Sequence, residues 1–289
     1  MELSQVLLQL LNSISYGLLL FLLAAGLSLI FGLMGVINLA HGSYYMLGAY
    51  IGITLMRSTD SLILALIVAA AIVGLIGTLI ELLFIRKVYN RVLDQVLLTF
   101  GCAYIFMDVT RWLWGGTPLS FPKPQFLEGS ISILGQAFPI YRFVIILWGL
   151  ILALVLYLFL EKTSIGVIIK AGVDDKEMVT GMGINIKLYF TGIFTFGAFL
   201  AAMGGVLGGP IVGAYIGLDF DILILALAVV VVGGLGTLKG AFLGSMLIGF
   251  IENFGNTFFP SFAIMTIYIV MALILIIKPT GLFGKDELQ

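Results

Sequence analysis

Nine apolar runs fill most of the chain and constrain its fold more than any other feature. They occupy residues 6–33, 44–56, 61–85, 94–114, 143–160, 188–209, 222–232, 241–258 and 262–277. Lipid offers no hydrogen-bond partner to the backbone groups of an open strand, so each crossing must be helical. Since a crossing needs roughly 20 mainly apolar residues, the runs predict an all-α polytopic membrane protein, a bundle of about eight or nine transmembrane helices.

The residues outside these runs exclude several classes of protein. They are too few for a separate soluble domain, so the chain is expected to form one transmembrane domain over 1–289. The single cysteine, Cys102, and the single histidine, His41, exclude an internal disulfide and a multi-histidine metal centre. A net charge of −1 argues against a nucleic-acid partner. The N-terminus lacks the positive region of a signal peptide, so the first run is interpreted as a retained span.

Lysine and arginine concentrate in alternate connections and predict an orientation. The basic residues of these connections are Arg86, Lys87 and Arg91, then Lys162, Lys170, Lys176 and Lys187, then Lys278 and Lys285 in the tail. The positive-inside rule places these three segments, and hence the C-terminus, in the cytoplasm. Segment 115–141, which carries four prolines, is then an extracytoplasmic loop that we expect to be irregular. Residues 34–56 could span the membrane or re-enter it, which leaves the N-terminal side open.

Two glycine-bounded segments interrupt apolar runs in the same way. They are GVINLAHG at 35–42 and GGLGTLKG at 233–240, which lie 198 residues apart and place His41 or Lys239 just before the second glycine. Interrupted helices at corresponding positions of two halves indicate a transport site, because the freed backbone groups can bind a polar solute. Most other glycines that lie four apart are better explained by close helix packing.

A small set of polar residues at or near the breaks forms the predicted substrate pathway. The set is Asn38, His41, Tyr44, Tyr45, Thr237, Lys239 and Glu252. An intramembrane carboxylate such as Glu252 indicates a pathway by default, whereas a lone histidine is as readily a packing residue. Asp108 and Arg111 are three residues apart and are expected to form an ion pair at the headgroup level. The chain has no phosphate-binding loop and no catalytic motif, so it is predicted not to be an enzyme.

The connection 161–187 carries the most specific local pattern. Isoleucines three and four residues apart predict one short amphipathic helix. Asp174, with Glu177 three residues later, predicts the capping box of a second helix, which Gly181 and Gly183 would end. Such helices either lie in a groove of a partner protein or rest on the membrane surface. The nearly balanced charge of the segment favours the docking interpretation.

Four motifs occur in one order along almost the whole chain and together resemble a known family. They are GVINLAHGSYYMLGAY, DDKEMVTGMGINI, VVGGLGTLKGAFLGSMLIGFIE and KPTGLFG. The chain resembles the membrane permeases of branched-chain amino acid ABC importers, and INLAHG resembles the shorter of the two permease subunits. The resemblance implies a sister permease, two cytoplasmic ABC ATPases that bind the ATP, and an extracytoplasmic binding protein. It also implies the plasma (inner) membrane of a prokaryote, and no cofactor bound by this chain.

The resemblance further assigns the ATPase-docking contact within 161–187. The implied docking residues are Lys170, Asp174, Asp175, Glu177, Met178, Gly183 and Asn185. The family's docking segment usually opens with G-R-A-x-R-A, whereas residues 166–171 read GVIIKA. One basic residue is therefore missing and the other is Lys170, which bears on the strength or partner choice of the contact.

Other functions remain open from the residues alone. Urea and short-chain amide importers have closely similar permeases, so the motifs do not give the substrate. A self-sufficient ion-coupled carrier or channel is the alternative from another class, and Glu252 or Asp108 could serve it. A membrane enzyme is the weakest alternative, because no nucleophile lies beside a base in the sequence.

Overall fold

A computed structural model describes residues 3–258 and 260–284 of the chain. Their helices are α1 (Leu3–Met34), α2 (His41–Thr59), α3 (Leu62–Leu83), α4 (Val92–Trp114), α5 (Ile140–Lys162), α6 (Ser164–Asp174), α7 (Lys176–Gly181), α8 (Ile186–Val212), α9 (Leu218–Gly233), α10 (Leu238–Phe258) and α11 (Ala263–Ile277). Strands β1 (Ser130–Ile133) and β2 (Gln136–Pro139) form one hairpin.

The predicted all-α polytopic class is confirmed, and each apolar run corresponds to one helix of 15 to 32 residues. Five helices are long and apolar enough to cross a membrane, namely α1, α3, α4, α5 and α8. Helices α9 and α10 form a sixth candidate as a pair that bends by 118° at the break between them. Helix α2 is more polar, and α11 has only 15 residues.

The two ends of the bundle differ in composition. We call one the basic end. The turn 84–91, which carries Arg86, Lys87 and Arg91, lies there together with helices α6 and α7 and the α9–α10 turn. We call the other the hairpin end. There Leu119 pairs with Ala214 after α8, and the Trp114 indole donates to Thr54 of α2. Lys285 lies outside the described residues.

Helices α1, α2 and α8 form the centre of the bundle, and small residues allow their backbones to approach closely. A Cβ at Gly205 of α8 would lie 2.0 Å from the Tyr45 carbonyl oxygen of α2, and one at Gly26 of α1 would lie 2.7 Å from the Gly197 carbonyl oxygen. Such contacts are typical of helix association in lipid, where packing rather than the hydrophobic effect drives assembly. Helix α2 is consequently buried along most of its length, which explains why it tolerates histidine, serine and three tyrosines.

The sequence leaves open whether segment 34–56 spans the membrane or re-enters it, and the structure combines the two. Helix α1 ends at Met34, and Gly35 follows with a φ of 63°, a left-handed residue of the kind that often terminates helices. Residues 35–40 then turn back into the bundle, since the His41 ring lies 3.0 Å from the Leu23 carbonyl oxygen in the interior of α1. Helix α2 continues from that depth to the hairpin end.

The expectation of an irregular segment 115–141 is wrong for residues 130–139. Strands β1 and β2 pair antiparallel with Ser130 opposite Pro139. Their two-residue turn is Leu134–Gly135, with φ values of 49° and 82°. A turn of this kind needs positive φ at both positions and is usually signalled by Asn-Gly, so leucine at the first position concealed it in the sequence.

Candidate functional site: a buried helix break and a helical elbow

The break at 35–40 is held in place by polar side chains of α4. The Ile37 N–H donates to Gln95 Oε1 at 3.2 Å, and the Leu39 N–H donates to Thr99 Oγ1 at 3.1 Å. Gln95 and Thr99 are both buried. Within the segment, the Ala40 N–H donates to Asn38 Oδ1 at 3.1 Å. These bonds replace those that a continuous helix would have made, which is the condition for non-helical backbone at membrane depth.

Asn38, His41 and Tyr44 form a buried polar group beside this break. The His41 Nε2 pairs with the Leu23 carbonyl oxygen, while its Nδ1 has no partner. The Asn38 Nδ2 and the Tyr44 hydroxyl face each other without a well-formed hydrogen bond. Buried polar atoms without partners are uncommon and indicate a functional group or a second conformation. This part of the predicted pathway is therefore brought together in the structure.

Tyr45 has a different environment on the opposite side of α2. Its ring lies against Gly204 and Gly208 of α8, where a Cβ at Gly208 would fall 1.9 Å from the tyrosine hydroxyl oxygen. The side chain is fully buried, and its hydroxyl has no hydrogen-bond partner. In this conformation Tyr45 fills the α2–α8 contact.

Sequence reasoning missed Asp219, which meets α2 at the same depth. Asp219 is 2% exposed, and its Oδ2 accepts a hydrogen bond from Ser43 at 3.1 Å, while its Oδ1 has no partner. A Cβ at Gly42 would lie 2.0 Å from the Asp219 carbonyl oxygen, so the N-termini of α2 and α9 pack directly together. An acidic residue in the first turn of a helix complements the helix dipole, and this was the available sequence signal.

Thr237 and Lys239 lie away from that buried group. Thr237 belongs to the α9–α10 turn at the basic end, and Lys239 to the first turn of α10. Thr237 Oγ1 accepts a hydrogen bond from the Gly240 N–H at 3.1 Å and so caps α10. Lys239 is exposed. The interruption predicted near 233–240 is thus present as a bend of 118°, but it lies in a different environment from the break at 35–40.

The remaining predicted ionisable residues also have separate environments. Glu252 is half-buried on α10, where the Tyr16 hydroxyl of α1 faces its carboxylate and its Oε2 has no partner. The predicted pair of Asp108 and Arg111 is confirmed at 3.1 Å and is exposed to solvent or headgroups.

Helices α6 and α7 form an elbow over residues 163–185 at the basic end. The prediction that Asp174 caps the second helix is wrong, because the helix begins one residue later and Asp175 Oδ1 accepts from the Met178 N–H at 2.8 Å. The side chain of Asp174 lies outside the described residues. Gly172 lies inside α6 and does not break the helix. It packs against Ile186 of α8.

The elbow has one anchored face and one free face. Ile169, Val179 and Ile186 are buried and join it to the bundle. Met178 is 66% exposed. The residues of the predicted docking contact that are exposed are Lys170, Asp175, Glu177, Met178, Gly183 and Asn185. Lys170 pairs with Glu161 at 2.7 Å. A groove of about 430 Å³ runs beside the elbow, lined by Thr180, Gly183, Ile184, Asn185, Ile186 and Lys187.

Comparison with known proteins gives the following matches. The profile of a family described as branched-chain amino acid transport system / permease component matches residues 9–278. The high-affinity branched-chain amino acid transport system permease protein BraD of Pseudomonas aeruginosa is 29% identical, with 100% of this chain and 99% of the relative aligned. LivH of Escherichia coli is 27% identical over 97% and 96% of the two chains. A probable LivH of Methanocaldococcus jannaschii is 30% identical over 95% and 91%.

Proposed function

The chain belongs to the family of branched-chain amino acid transport system permease components, and we propose that it carries branched-chain amino acids into the cell. The family resemblance read from the motifs is thereby confirmed, and the chain is a multi-pass membrane protein of the transport class. The single observation that carries the proposed cargo is the match along nearly full length to several permeases named for these amino acids.

The proposed energy source is supported by the family to which the chain belongs and by the exposed elbow. ATP is hydrolysed on partner subunits, and the elbow 163–185 is the contact that receives them. Its buried isoleucine and valine side chains fix it to α8, while Asp175, Glu177 and Met178 are exposed. An amphipathic helix placed in this way suits a groove of a partner protein. The elbow end is then the cytoplasmic side, which also places the C-terminus in the cytoplasm.

The complete importer contains further chains. We place beside this subunit a sister permease, two cytoplasmic ABC ATPases and an extracytoplasmic binding protein that delivers the cargo at the hairpin end. The large apolar side chains exposed on α3, α4 and α5 face lipid or the sister permease.

The pathway is assigned to the buried break. Asn38, His41 and Tyr44 contact the solute when α2 and α9 move apart, and Tyr45 contacts it when α2 moves away from α8. All four side chains hold a buried polar atom that has no hydrogen-bond partner among the described residues. Two further sites lie along the route. Thr237 and Lys239 are at the cytoplasmic exit, and Glu252 is near the hairpin end.

The deciding experiment is uptake of labelled leucine, isoleucine, valine and urea into vesicles that contain this chain with its ATPases, sister permease and binding protein. We expect uptake of a branched amino acid that requires internal ATP and the binding protein. ATP-dependent uptake of urea alone would overturn the cargo but keep the importer. Uptake by this chain without ATP or partners would overturn the importer in favour of a self-sufficient carrier.

The docking assignment has its own test. Met178→Asp places a charge on the free face of α7 without entering the bundle core, so the variant is expected to insert normally but to lose co-purification of the ATPase and ATP-driven uptake. Leu134→Asp at the hairpin turn is the matched control for ATPase co-purification, because that side chain is also exposed and its left-handed backbone suits aspartate. Retained ATPase binding in Met178→Asp would contradict the assignment.

A further inference from the structure

Glu81 lies in the last turn of α3, at the basic end of the bundle. Its carboxylate is fully buried and receives hydrogen bonds from three side chains. It is 0% exposed. The Arg86 guanidinium donates to both of its oxygens at 3.3 Å. The Tyr89 hydroxyl donates to Oε1 at 2.6 Å, and the Thr191 hydroxyl donates to Oε2 at 2.8 Å. We call these four residues the Glu81 cluster.

The cluster joins three separate elements of the bundle. Glu81 belongs to α3, Arg86 and Tyr89 to the turn 84–91, and Thr191 to α8. Tyr89 also places its ring edge-on against Phe190 of α8, with 6.3 Å between ring centroids. Burial raises the pKa of the Tyr89 phenol well above its usual range, and the Glu81 carboxylate raises it further, so the hydroxyl keeps its proton and remains a donor.

The α8 member of the cluster lies close to the docking elbow. Helix α8 begins at Ile186, five residues before Thr191, and Ile186 packs tightly against Gly172 of α6. A displacement of the elbow therefore moves the first turns of α8. Because a buried carboxylate needs its donors at hydrogen-bond distance, such a displacement must either carry α3 and the turn with it or break the cluster.

The same turn leads directly to the buried break. The Gln95 amide of α4 donates to the Val88 carbonyl oxygen at 3.1 Å, and its Oε1 accepts from the Ile37 N–H at 3.2 Å. Hydrogen bonds and the single peptide bond between Val88 and Tyr89 thus connect Thr191 of α8 to Ile37 of the break. Such a contiguous path can carry coupling between two sites, and measured coupling energies are the evidence that decides whether it does.

We propose that the Glu81 cluster and Gln95 form the link by which movement of the ATPase-docking elbow repositions the broken segment 35–40. These are positioning residues, since they touch neither the ATPase nor the solute. The inference rests on the proposed function, because it assigns a route between the docking contact and the pathway. A static clamp is the competing role, and it would affect stability without changing the amount of transport per ATP.

The test measures ATP hydrolysis and leucine uptake together in proteoliposomes that contain the complete importer. Thr191→Val removes the hydroxyl while keeping the shape, and Thr191→Ser keeps the hydroxyl. For Thr191→Val we expect ATP hydrolysis to continue while uptake per ATP falls at least about tenfold, within the ~5–150-fold range typical of coupling between sites. Thr191→Ser should restore the ratio. Asp108→Asn is the control, because that carboxylate lies in an exposed ion pair at the other end of the bundle.

A double-mutant cycle tests the connection itself. If Thr191 and Gln95 lie on one route, Thr191→Val combined with Gln95→Leu should lose no more uptake per ATP than the more affected single variant. Losses that multiply would overturn the proposal, and so would an unchanged ratio in Thr191→Val, even if its stability falls. Failure of the unmodified importer to take up leucine with ATP would instead contradict the proposed function.

Discussion

The hydrogen bonds from α4 to the broken segment allow a quantitative prediction at Thr99. Thr99→Val is nearly isosteric but leaves the partly buried Leu39 N–H without the acceptor it has at 3.1 Å. Leaving a buried donor unsatisfied costs about 1–3 kcal/mol of folding free energy. Thr99→Ser keeps the hydroxyl and should remain within about 0.5 kcal/mol of the parent chain.

Gln95 extends the same reasoning to two groups. Gln95→Leu removes the acceptor of the Ile37 N–H and the donor to the Val88 carbonyl oxygen. The expected loss is therefore roughly twice as large, about 2–6 kcal/mol, if each unsatisfied group costs about the same. From most to least stable, we expect the parent chain and Thr99→Ser to be nearly equal, followed by Thr99→Val and then by Gln95→Leu.

The assay is reversible unfolding of the purified protein in mixed detergent micelles, followed by tryptophan fluorescence. Trp114 at the end of α4 is a suitable reporter, because its indole donates to Thr54 and its ring packs near Tyr50 of α2. Equal stability of Thr99→Val and Thr99→Ser would show that α4 does not hold the break through its side chains. The same result would remove the structural basis for including Gln95 in the proposed link.

Three further predictions concern packing, capping and surface charge. In the same unfolding assay, Gly205→Ala should destabilise the bundle by about 1–3 kcal/mol, because the new Cβ meets the Tyr45 carbonyl oxygen at 2.0 Å. Gly101→Ala is the control and should be neutral or stabilising, because a Cβ there enters open space. Asp175→Ala should weaken α7 by roughly 1 kcal/mol and reduce ATPase co-purification, whereas Asp175→Asn, which can still cap the helix, should not. Asp108→Ala should change stability by less than about 1 kcal/mol, because its ion pair with Arg111 is exposed; a loss above 2 kcal/mol in that assay would contradict the exposed geometry.

Local pattern was sufficient for the helices of this protein, although it missed the β1–β2 hairpin. Apolar length predicted the nine long helices, and isoleucine spacing together with an acidic cap predicted the elbow to within one residue at Asp175. The pair of Asp108 and Arg111 followed from helical spacing alone. Each of these features depends on residues at most a few positions apart, so no knowledge of the fold is needed to find them.

The candidate site was predicted only in part, because burial depends on neighbours that are distant in the sequence. His41 and Lys239 occupy equivalent places in two similar motifs, yet His41 is fully buried against α1 and Lys239 is exposed at the start of α10. Asp219 lies in the short segment between the apolar runs 188–209 and 222–232, yet Ser43, 176 positions away in the chain, donates a hydrogen bond to it. Composition around each residue does not distinguish these cases.

The sequence by itself determined that the chain enters the membrane as helices, because lipid leaves the backbone no other way to satisfy its polar groups. It also determined the family, through motifs spread along nearly the whole chain. The tertiary structure alone decided which polar side chains are enclosed. Burial of α2 among its neighbours, the supply of acceptors by Gln95 and Thr99, and the convergence of three donors on Glu81 all require helices far apart in sequence to be packed in one arrangement.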